Sequence, residues 1–477
     1  MALNYDLVVL GGGTGGYVTA IRAAQLGLKT AVVEKEKLGG GTCLHKGCIP
    51  TKALLKSASV FQLVKEADRY GVEVEKPLFQ ITKAIERKNK IVDSLYEGGV
   101  NHLIKSHNID VYHGFGRILG PSIFSPMAGS ISVEYDSEKE NDILIPKNVI
   151  IATGTFPSIL PGVNVDHQHI VTSDDLVEIS ELPQSIIIVG GGVIGIEWAS
   201  FLHDVGVKVT IIEAQESILP SFDKDIINTM RKNLVKKGIT IIENANLDID
   251  SITTDNKIQL TYKLNNQTHS LSAEKLLLSV GRKANTRNIG LENTEIVIND
   301  KGFISVNEHF QTKESHIYAI GDVNGGKQLA HVATYEGKKA VEHIADITMS
   351  SLSENEIPSC VYGNPEIAMI GLTETEVQHH GFDYQTTITS FKAIGKAHVN
   401  GQTDGFIKII IDKNTEDILG IHMIGSQVTE LIGQASTAKY FDSSALELSE
   451  VSYPHPSLSE IIGEAALAAE GGRKIHG

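Results

Sequence analysis

Cys43 and Cys48 stand in the stretch LGGGTCLHKGCIPTKALL with four residues between them, inside a glycine-rich turn that runs into helix-forming residues after Pro50. Two thiols this close, at the start of a helix whose dipole favours an anion, are placed to ionise and to take part in disulfide exchange. The same pattern also suits two buried structural thiols or, with His45, part of a metal site. A second chemically capable group lies far along the chain in YPHPSLSE, where His455 sits between two prolines and Glu460 follows five positions later. A carboxylate at that spacing can orient an imidazole and stabilise its cation, which is what a general base needs. The competing reading is an ordinary surface or core histidine, one of 18 in the chain. The third cysteine, Cys360, falls in a strand-like run and reads as a structural thiol.

Something must position these groups, and the stretch just before the cysteines is the first candidate. Residues 5–34, YDLVVLGGGTGGYVTAIRAAQLGLKTAVVE, read as an apolar strand, a glycine turn, a helix with small residues on one face, and a second strand ending in an acid. That is a βαβ unit. Gly11, Gly13 and Gly16 fit GxGxxG, whose glycines permit a tight turn, close approach of a pyrophosphate and close helix packing. The phosphates would face a helix N-terminus. Glu34 stands about 20 residues beyond the turn, where a carboxylate can accept hydrogen bonds from a ribose diol. Because the cysteines follow directly, a flavin with a redox-active disulfide beside it is the expected arrangement.

Residues 185–213 repeat the unit, with Gly190, Gly192 and Gly195 in the second GxGxxG and Glu213 at the matching acidic position. The repeat implies two dinucleotide sites, or a duplicated domain that has lost one. Glu213 favours NAD, since a carboxylate bonds a 2′-hydroxyl and repels a 2′-phosphate, and the next arginine along the chain is Arg231. The alternative is that Glu213 caps a loop.

A length of 477 residues allows about three domains. A net charge of −16 argues against a duplex nucleic-acid partner, because phosphates require a basic surface. Three cysteines cannot form a disulfide framework, no signal peptide precedes the first strand, and no stretch is long and apolar enough for a membrane span, so the expected location is the cytoplasm. Residues 58–108 read as helical scaffold and 109–150 as short strands, with 136–142 as a solvated hairpin tip. A strand ends at Thr153-Gly154, and the second dinucleotide domain closes near Gly281-Arg282. The segment HIYAIGDV then brings Gly321-Asp322, where a turn aspartate could equally cap a helix. The expected division is 1–152, 153–281, 282–349 returning to the first domain, and 350–477.

Taken together, GGTCLHKGCIPTKALL, GGGVIGIE, YAIGDV, LAHVATYEG and HPSLSE resemble the motifs of the flavoprotein disulfide reductases along essentially the whole chain. The resemblance implies an α/β fold with two Rossmann-like dinucleotide-binding domains and a C-terminal α+β interface domain that pairs two chains. It implies FAD in the first site, NAD in the second, and no metal. It also implies oxidation of protein-bound dihydrolipoamide, with the lipoyl domain and subunit-binding domain of an acyltransferase as partners. Cys43 would be the interchange thiol and Cys48 the thiolate beside the flavin, with His455 as base and Glu460 orienting it. Lys52 matches the lysine near the flavin and Glu197 its ion-pair partner. Thr42, Thr153, Gly154, Gly281, Asp322, Ala330 and His331 match cofactor-binding positions. The NADP arginines of glutathione-type reductases and the C-terminal cysteine pair of mercuric reductases are not present. Two departures stand out: LGGGTC carries one glycine beyond the usual LGGxC, which is expected to loosen the turn, and Tyr453 stands where a histidine is usual.

Overall fold

The computed structural model describes residues 2–121, 128–137, 139–347, 353–472 and 475. Strand β1 (Ala2–Leu10), helix α1 (Thr14–Gln25) and strand β2 (Thr30–Glu34) form the first βαβ unit. β1 lies between β2 and the strand Asp142–Ile151, parallel to both, which is why its run Leu7–Leu10 is apolar without alternation and fully buried. Asp110–His113 extends the sheet beyond β2, while Ser130–Glu134 and Phe115–Leu119 add antiparallel strands on the other side. The expected hairpin tip at 136–142 joins two of these strands; Glu138 within it lies outside the described residues.

Much later in the chain, Ile317–Ala319 pairs in parallel with residues 149–151, so the segment after the second dinucleotide unit comes back to the first sheet. The helix Ala330–Ile344 that follows packs on α1. The approach is so close that a Cβ on Gly337 would fall 1.9 Å from the Thr19 hydroxyl, which leaves glycine as the residue that fits.

The second sheet runs Thr240–Ile242, Lys208–Ile212, Ser185–Val189, Lys275–Leu278, Ile170–Thr172 in spatial order, all parallel, with a three-stranded antiparallel sheet spanning residues 246–273. The chain leaves the first sheet and returns to it through one short antiparallel pair, Thr155–Pro157 with Arg282–Ala284. A third, wholly antiparallel five-stranded sheet contains the expected hairpin of Phe406–Asp412 and Ile418–Gly425 and is covered by the helices Val428–Tyr440 and Glu460–Ala469. The architecture is therefore two Rossmann-like layers and a separate α+β layer. The expected boundary between 349 and 350 lies outside the described residues.

A buried ion cluster ties the last layer to the second. Lys408 on the strand Phe406–Asp412 reaches Asp223 at 3.0 Å, Asp225 at 2.7 Å and Glu374 at 2.6 Å. Asp223 is the N-cap of the helix Lys224–Lys237, and both it and Lys408 are 1 % exposed. Removing the cation leaves the buried Asp223 carboxylate without a counter-charge. Lys408→Met is therefore expected to lower stability by about 3 to 5 kcal/mol, read as a fall in the urea midpoint, whereas an exposed pair such as Lys413–Asp383 should cost under about 1 kcal/mol.

Candidate active site

The two cysteines occupy the ends of a tight connection. Cys43 lies in the short helix α2 (Gly41–His45), and Cys48 is the first residue of α3 (Cys48–Lys65), after Gly47. The three glycines before them, Gly39, Gly40 and Gly41, all adopt positive φ (92°, 99° and 46°), the region that side chains resist. The expectation that the additional glycine loosens the turn is not met. The amides of Gly39 and Gly40 both donate to the Gly12 carbonyl at 3.1 Å, and a Cβ on Gly41 would sit 2.8 Å from the Gly13 Cα. The glycines let the backbone lie directly on the first fingerprint turn, so the cysteine loop is fastened to the dinucleotide site. Thr42 is exposed, with its carbonyl accepting from the Lys46 amide.

Both cysteines are thiols here and are hydrogen-bonded to each other. The two sulfurs differ. The hydrogen bond from Cys43 lowers the Cys48 pKa to about 7, and the nearby Lys52 ammonium adds to the effect against the cost of burial. Cys43 moves upward, because giving up its proton would forfeit that bond and place a second charge in a buried site. Thr14, at the start of α1, donates its hydroxyl to the Gly40 carbonyl at 3.4 Å in the same loop, and its hydroxyl partly offsets the upward shift of Cys43. His45 does not join them in a ligand set. Its Nε2 bonds the Gly39 carbonyl at 3.0 Å and its ring stacks edge-on to Tyr96. Among the described residues no group of three or more His, Cys, Asp or Glu side chains is arranged to hold a metal ion.

Lys52 stands one helical turn after Cys48, on the same face of α3. Its ammonium bonds both oxygens of Glu197, at 2.9 and 2.7 Å, and Glu197 belongs to the helix Val193–Asp204 of the second domain. Tyr362, from the third layer, completes the group. Its ring centroid is 4.8 Å from the Lys52 nitrogen and its backbone N–H donates to Glu197 Oε1 at 3.0 Å. Sequence reasoning paired Lys52 with Glu197 only through the resemblance, and missed Tyr362, for which no motif or spacing gave a signal.

The two glycine fingerprints are near copies in three dimensions. A Cβ on Gly11 would meet the Ala152 carbonyl oxygen at 2.4 Å, and one on Gly190 would meet that of Ser279 at 2.4 Å. On Gly16 and Gly195 a Cβ would run into the Gly11 and Gly190 carbonyl oxygens, at 1.9 and 2.1 Å. The middle glycines differ from both. Gly13 has only the Gly41 Cα within reach, at 3.9 Å, and Gly192 has nothing within 4 Å. Open space at the middle glycine, before a helix whose N-cap carries no side-chain bond, is what a pyrophosphate requires, so both turns fit a dinucleotide. Glu34 accepts from the Gly12 and Glu36 amides at 2.7 and 2.8 Å, and Glu213 from the Gly191 and Gln215 amides at 2.6 and 2.7 Å. These bonds steady each carboxylate and leave it further lone pairs for a ribose.

Several other candidate residues gather at the crossing between the first two domains. The Thr153 hydroxyl donates to the Asn285 carbonyl at 2.8 Å, the Gly154 carbonyl accepts from the Asn285 amide, and the Gly281 carbonyl accepts from the Ser158 amide. Asp322 accepts from the Thr155 hydroxyl at 2.7 Å, and Gly321 beside it abuts Ala333, as does Gly15 of α1. Ala330 and His331 open the helix Ala330–Ile344, with His331 Nε2 on the Pro358 carbonyl at 3.0 Å. Buried Glu336 on that helix, also missed in the sequence, binds the Gly321 amide at 2.6 Å; burial raises its pKa to about 7.

His455 and Glu460 are placed otherwise. Glu460 Oε1 is 2.8 Å from His455 Nδ1, and Oε2 accepts from the Ser457 amide at 2.9 Å, so the carboxylate holds the ring with Nε2 outward. The His455 side chain is 78 % exposed. The helix carrying Glu460 packs on Ala445–Ser449 and on strands of the third sheet, whereas the cysteine helix packs on Ile81–Leu95 and Val193–Asp204. Tyr453 has become a packing residue: its hydroxyl donates to the Leu448 carbonyl at 3.1 Å and its ring lies against Gly463.

Two dinucleotide cradles with a paired thiol fastened to the first define a class of redox enzyme. The chain belongs to the pyridine nucleotide-disulphide oxidoreductase family, whose main description matches residues 5–337 and whose dimerisation domain matches residues 357–466. It forms a homodimer through that domain. Its relatives include the dihydrolipoyl dehydrogenase of Bacillus subtilis (strain 168), 57 % identical over all of both chains. Another is the dihydrolipoyl dehydrogenase of Zymomonas mobilis, 38 % identical and also covering both in full. The leghemoglobin reductase of Glycine max is 35 % identical over 97 % of this chain and 91 % of its own. Among solved structures, LpdA from Mycobacterium tuberculosis superposes with a TM-score of 0.88 at 25 % identity, over 97 % of this chain and 99 % of that one. The HOCl-induced flavoprotein disulfide reductase RclA from Escherichia coli superposes with a TM-score of 0.83 at 27 % identity and the same coverage.

Since the Lys52 charge favours the Cys48 thiolate, removing it should raise the pH needed for ionisation. In the reduced protein, Lys52→Met is expected to move the midpoint for iodoacetamide labelling of Cys48 upward by about one pH unit.

Proposed function

We propose that the protein acts as a dihydrolipoyl dehydrogenase, oxidising protein-bound dihydrolipoamide through a Cys43–Cys48 disulfide and passing two electrons to NAD+. The observation that carries the reading is the unequal thiol pair at the head of α3, fastened to one dinucleotide cradle and linked through Lys52–Glu197 to the domain that holds the other. FAD belongs in the cradle of Gly11, Gly13, Gly16 and Glu34, with Thr42, Lys52, Asp322, Ala330 and His331 as further candidate contacts, and Thr153, Gly154 and Gly281 are the candidate cofactor contacts at the crossing between the two dinucleotide domains. NAD belongs in that of Gly190, Gly192, Gly195, Glu197 and Glu213. When bound, FAD supplies the relay between a two-electron thiol donor and a hydride acceptor. The chain divides at 152/153, 281/282 and 349/350, a division supported by the short strand pair at the crossing and by the return of Ile317–Ala319.

The protein's own residues then act as follows. A substrate thiolate attacks the Cys43 sulfur of the disulfide, forming a mixed disulfide and expelling Cys48 as a thiolate, whose charge the Lys52 ammonium favours. The second substrate thiol gives its proton to His455 Nε2, attacks its neighbour sulfur and releases Cys43, closing the lipoamide disulfide. Glu460 holds His455 in the neutral tautomer that can accept that proton and steadies the cation once formed. Exposure of His455 within one chain supports a site shared across the dimer, with the cysteines from one subunit and the His455–Glu460 pair from the other. The substrate is carried by the lipoyl domain of an acyltransferase, whose subunit-binding domain docks the enzyme. A cytoplasmic location goes with this reading, supported by full-length similarity to a bacterial enzyme.

Holoenzyme supplied with dihydrolipoamide should reduce NAD+ far faster than NADP+, with Glu213→Gln narrowing the difference; equal turnover by the unaltered protein would overturn the assignment of Glu213. Cys43→Ser and His455→Gln proteins, each nearly inactive, should regain activity when mixed, unfolded and refolded together. A hybrid dimer then carries one intact site, while sites confined to single chains would all keep a lesion and recover nothing.

A further inference from the structure

Two opposite charges act on Cys48: the Lys52 ammonium lowers its pKa and the Glu197 carboxylate raises it. The net field on the sulfur therefore depends on where each partner of the ion pair is held. Lys52 is 30 % exposed and on a flexible stem, so its bonds to Glu197 alone do not prevent it from swinging toward water. Glu197, 5 % exposed, is much less free.

We propose that Tyr362 is a positioning residue for the Cys48 thiolate: the face of its ring holds the Lys52 ammonium while its backbone N–H takes up part of the Glu197 charge. The ring lies 4.8 Å from the Lys52 nitrogen, within reach of a cation–π attraction, and the N–H meets Glu197 Oε1 at 3.0 Å. Both contacts act in one direction. The ring keeps the favourable charge near, and the amide damps the unfavourable one. Because Tyr362 follows the strand Ser359–Val361 of the third sheet, the dimerisation domain thereby sets the ionisation of a sulfur in the first domain. The remaining groups around Cys48 are Cys43, and those around Tyr362 are Cys360, Glu366 and Glu430, with Lys56 beside Glu366. None of them bridges Lys52 and Glu197 as Tyr362 does.

The inference rests on the reading of Cys48 as the working thiolate, and the test separates the two. The holoenzyme carries Cys43→Ser, so that one active-site thiol remains, and iodoacetamide labelling of Cys48 is followed by mass across pH. Burial pushes Cys360 up to about 12, so it labels slowly near neutrality, and its peptide is distinct. Tyr362→Phe keeps the ring and should leave the Cys48 midpoint unchanged. Tyr362→Leu should raise it by about half a pH unit. Pentafluorophenylalanine at position 362 keeps the shape, reverses the ring's electrostatics, and should raise the midpoint likewise. It decides the matter even if Tyr362→Leu fails to fold. Equal midpoints for the phenyl and pentafluorophenyl proteins, or a shift in Tyr362→Phe as large as in Tyr362→Leu, would overturn the proposal. Serine at position 43 keeps a hydroxyl donor beside Cys48, and a Cys48 midpoint in the Cys43→Ser parent no lower than that of an ordinary thiol would instead defeat the thiolate reading itself, whatever Tyr362 does.

Discussion

The ion pair between Lys52 and Glu197 is the point at which the three layers of this protein meet. Lys52 comes from the first domain, Glu197 from the second, and the amide and ring of Tyr362 close the group from the third. A carboxylate that is 5 % exposed requires a partner, since an isolated buried charge is costly, and here the partner is also the cation that lowers the Cys48 pKa. The same contact therefore satisfies a structural need and biases Cys48 toward the thiolate. Register between the domains is thereby coupled to the chemistry of the sulfur pair.

Duplication supplies the remainder of the scaffold. Both βαβ units place a first glycine where any side chain would strike the backbone of a neighbouring strand end, a third where it would strike the first glycine's carbonyl, and a middle one facing open space. Both end in a glutamate bonded to two backbone amides in the same pattern. What distinguishes the two copies is the surroundings. Only the first has the three-glycine loop lying across it, and that loop brings the cysteines with it. An added glycine in that loop, which on sequence grounds reads as slack, serves close backbone contact instead.

The third layer contributes in two ways that its own sequence does not announce. It carries His455 and Glu460 as a pre-oriented pair facing outward, and it exposes large apolar side chains, among them Phe441 at 71 % and Val399 at 67 %. Exposed apolar groups of this size are costly in a monomer and are the material of a contact between subunits, which agrees with the dimerisation domain assigned to this region.

The sequence by itself determined the elements whose signal is local. Glycine spacing, the apolar runs and the terminal acids read as two βαβ units, because a nucleotide turn needs those residues within one short stretch of chain. The nearness of Cys43 to Cys48, and of His455 to Glu460, was legible for the same reason. The pairing of Lys52 with Glu197 came only from a family resemblance, and the roles of Tyr362, Glu336 and Thr14 from nothing in the sequence at all. Each of these depends on contacts between segments far apart in the chain, where residue type carries no record of the partner. Which sulfur is the more acidic came from the resemblance as well; its physical cause is the Cys43 hydrogen bond and the Lys52 charge one turn along α3, which residue spacing alone does not rank.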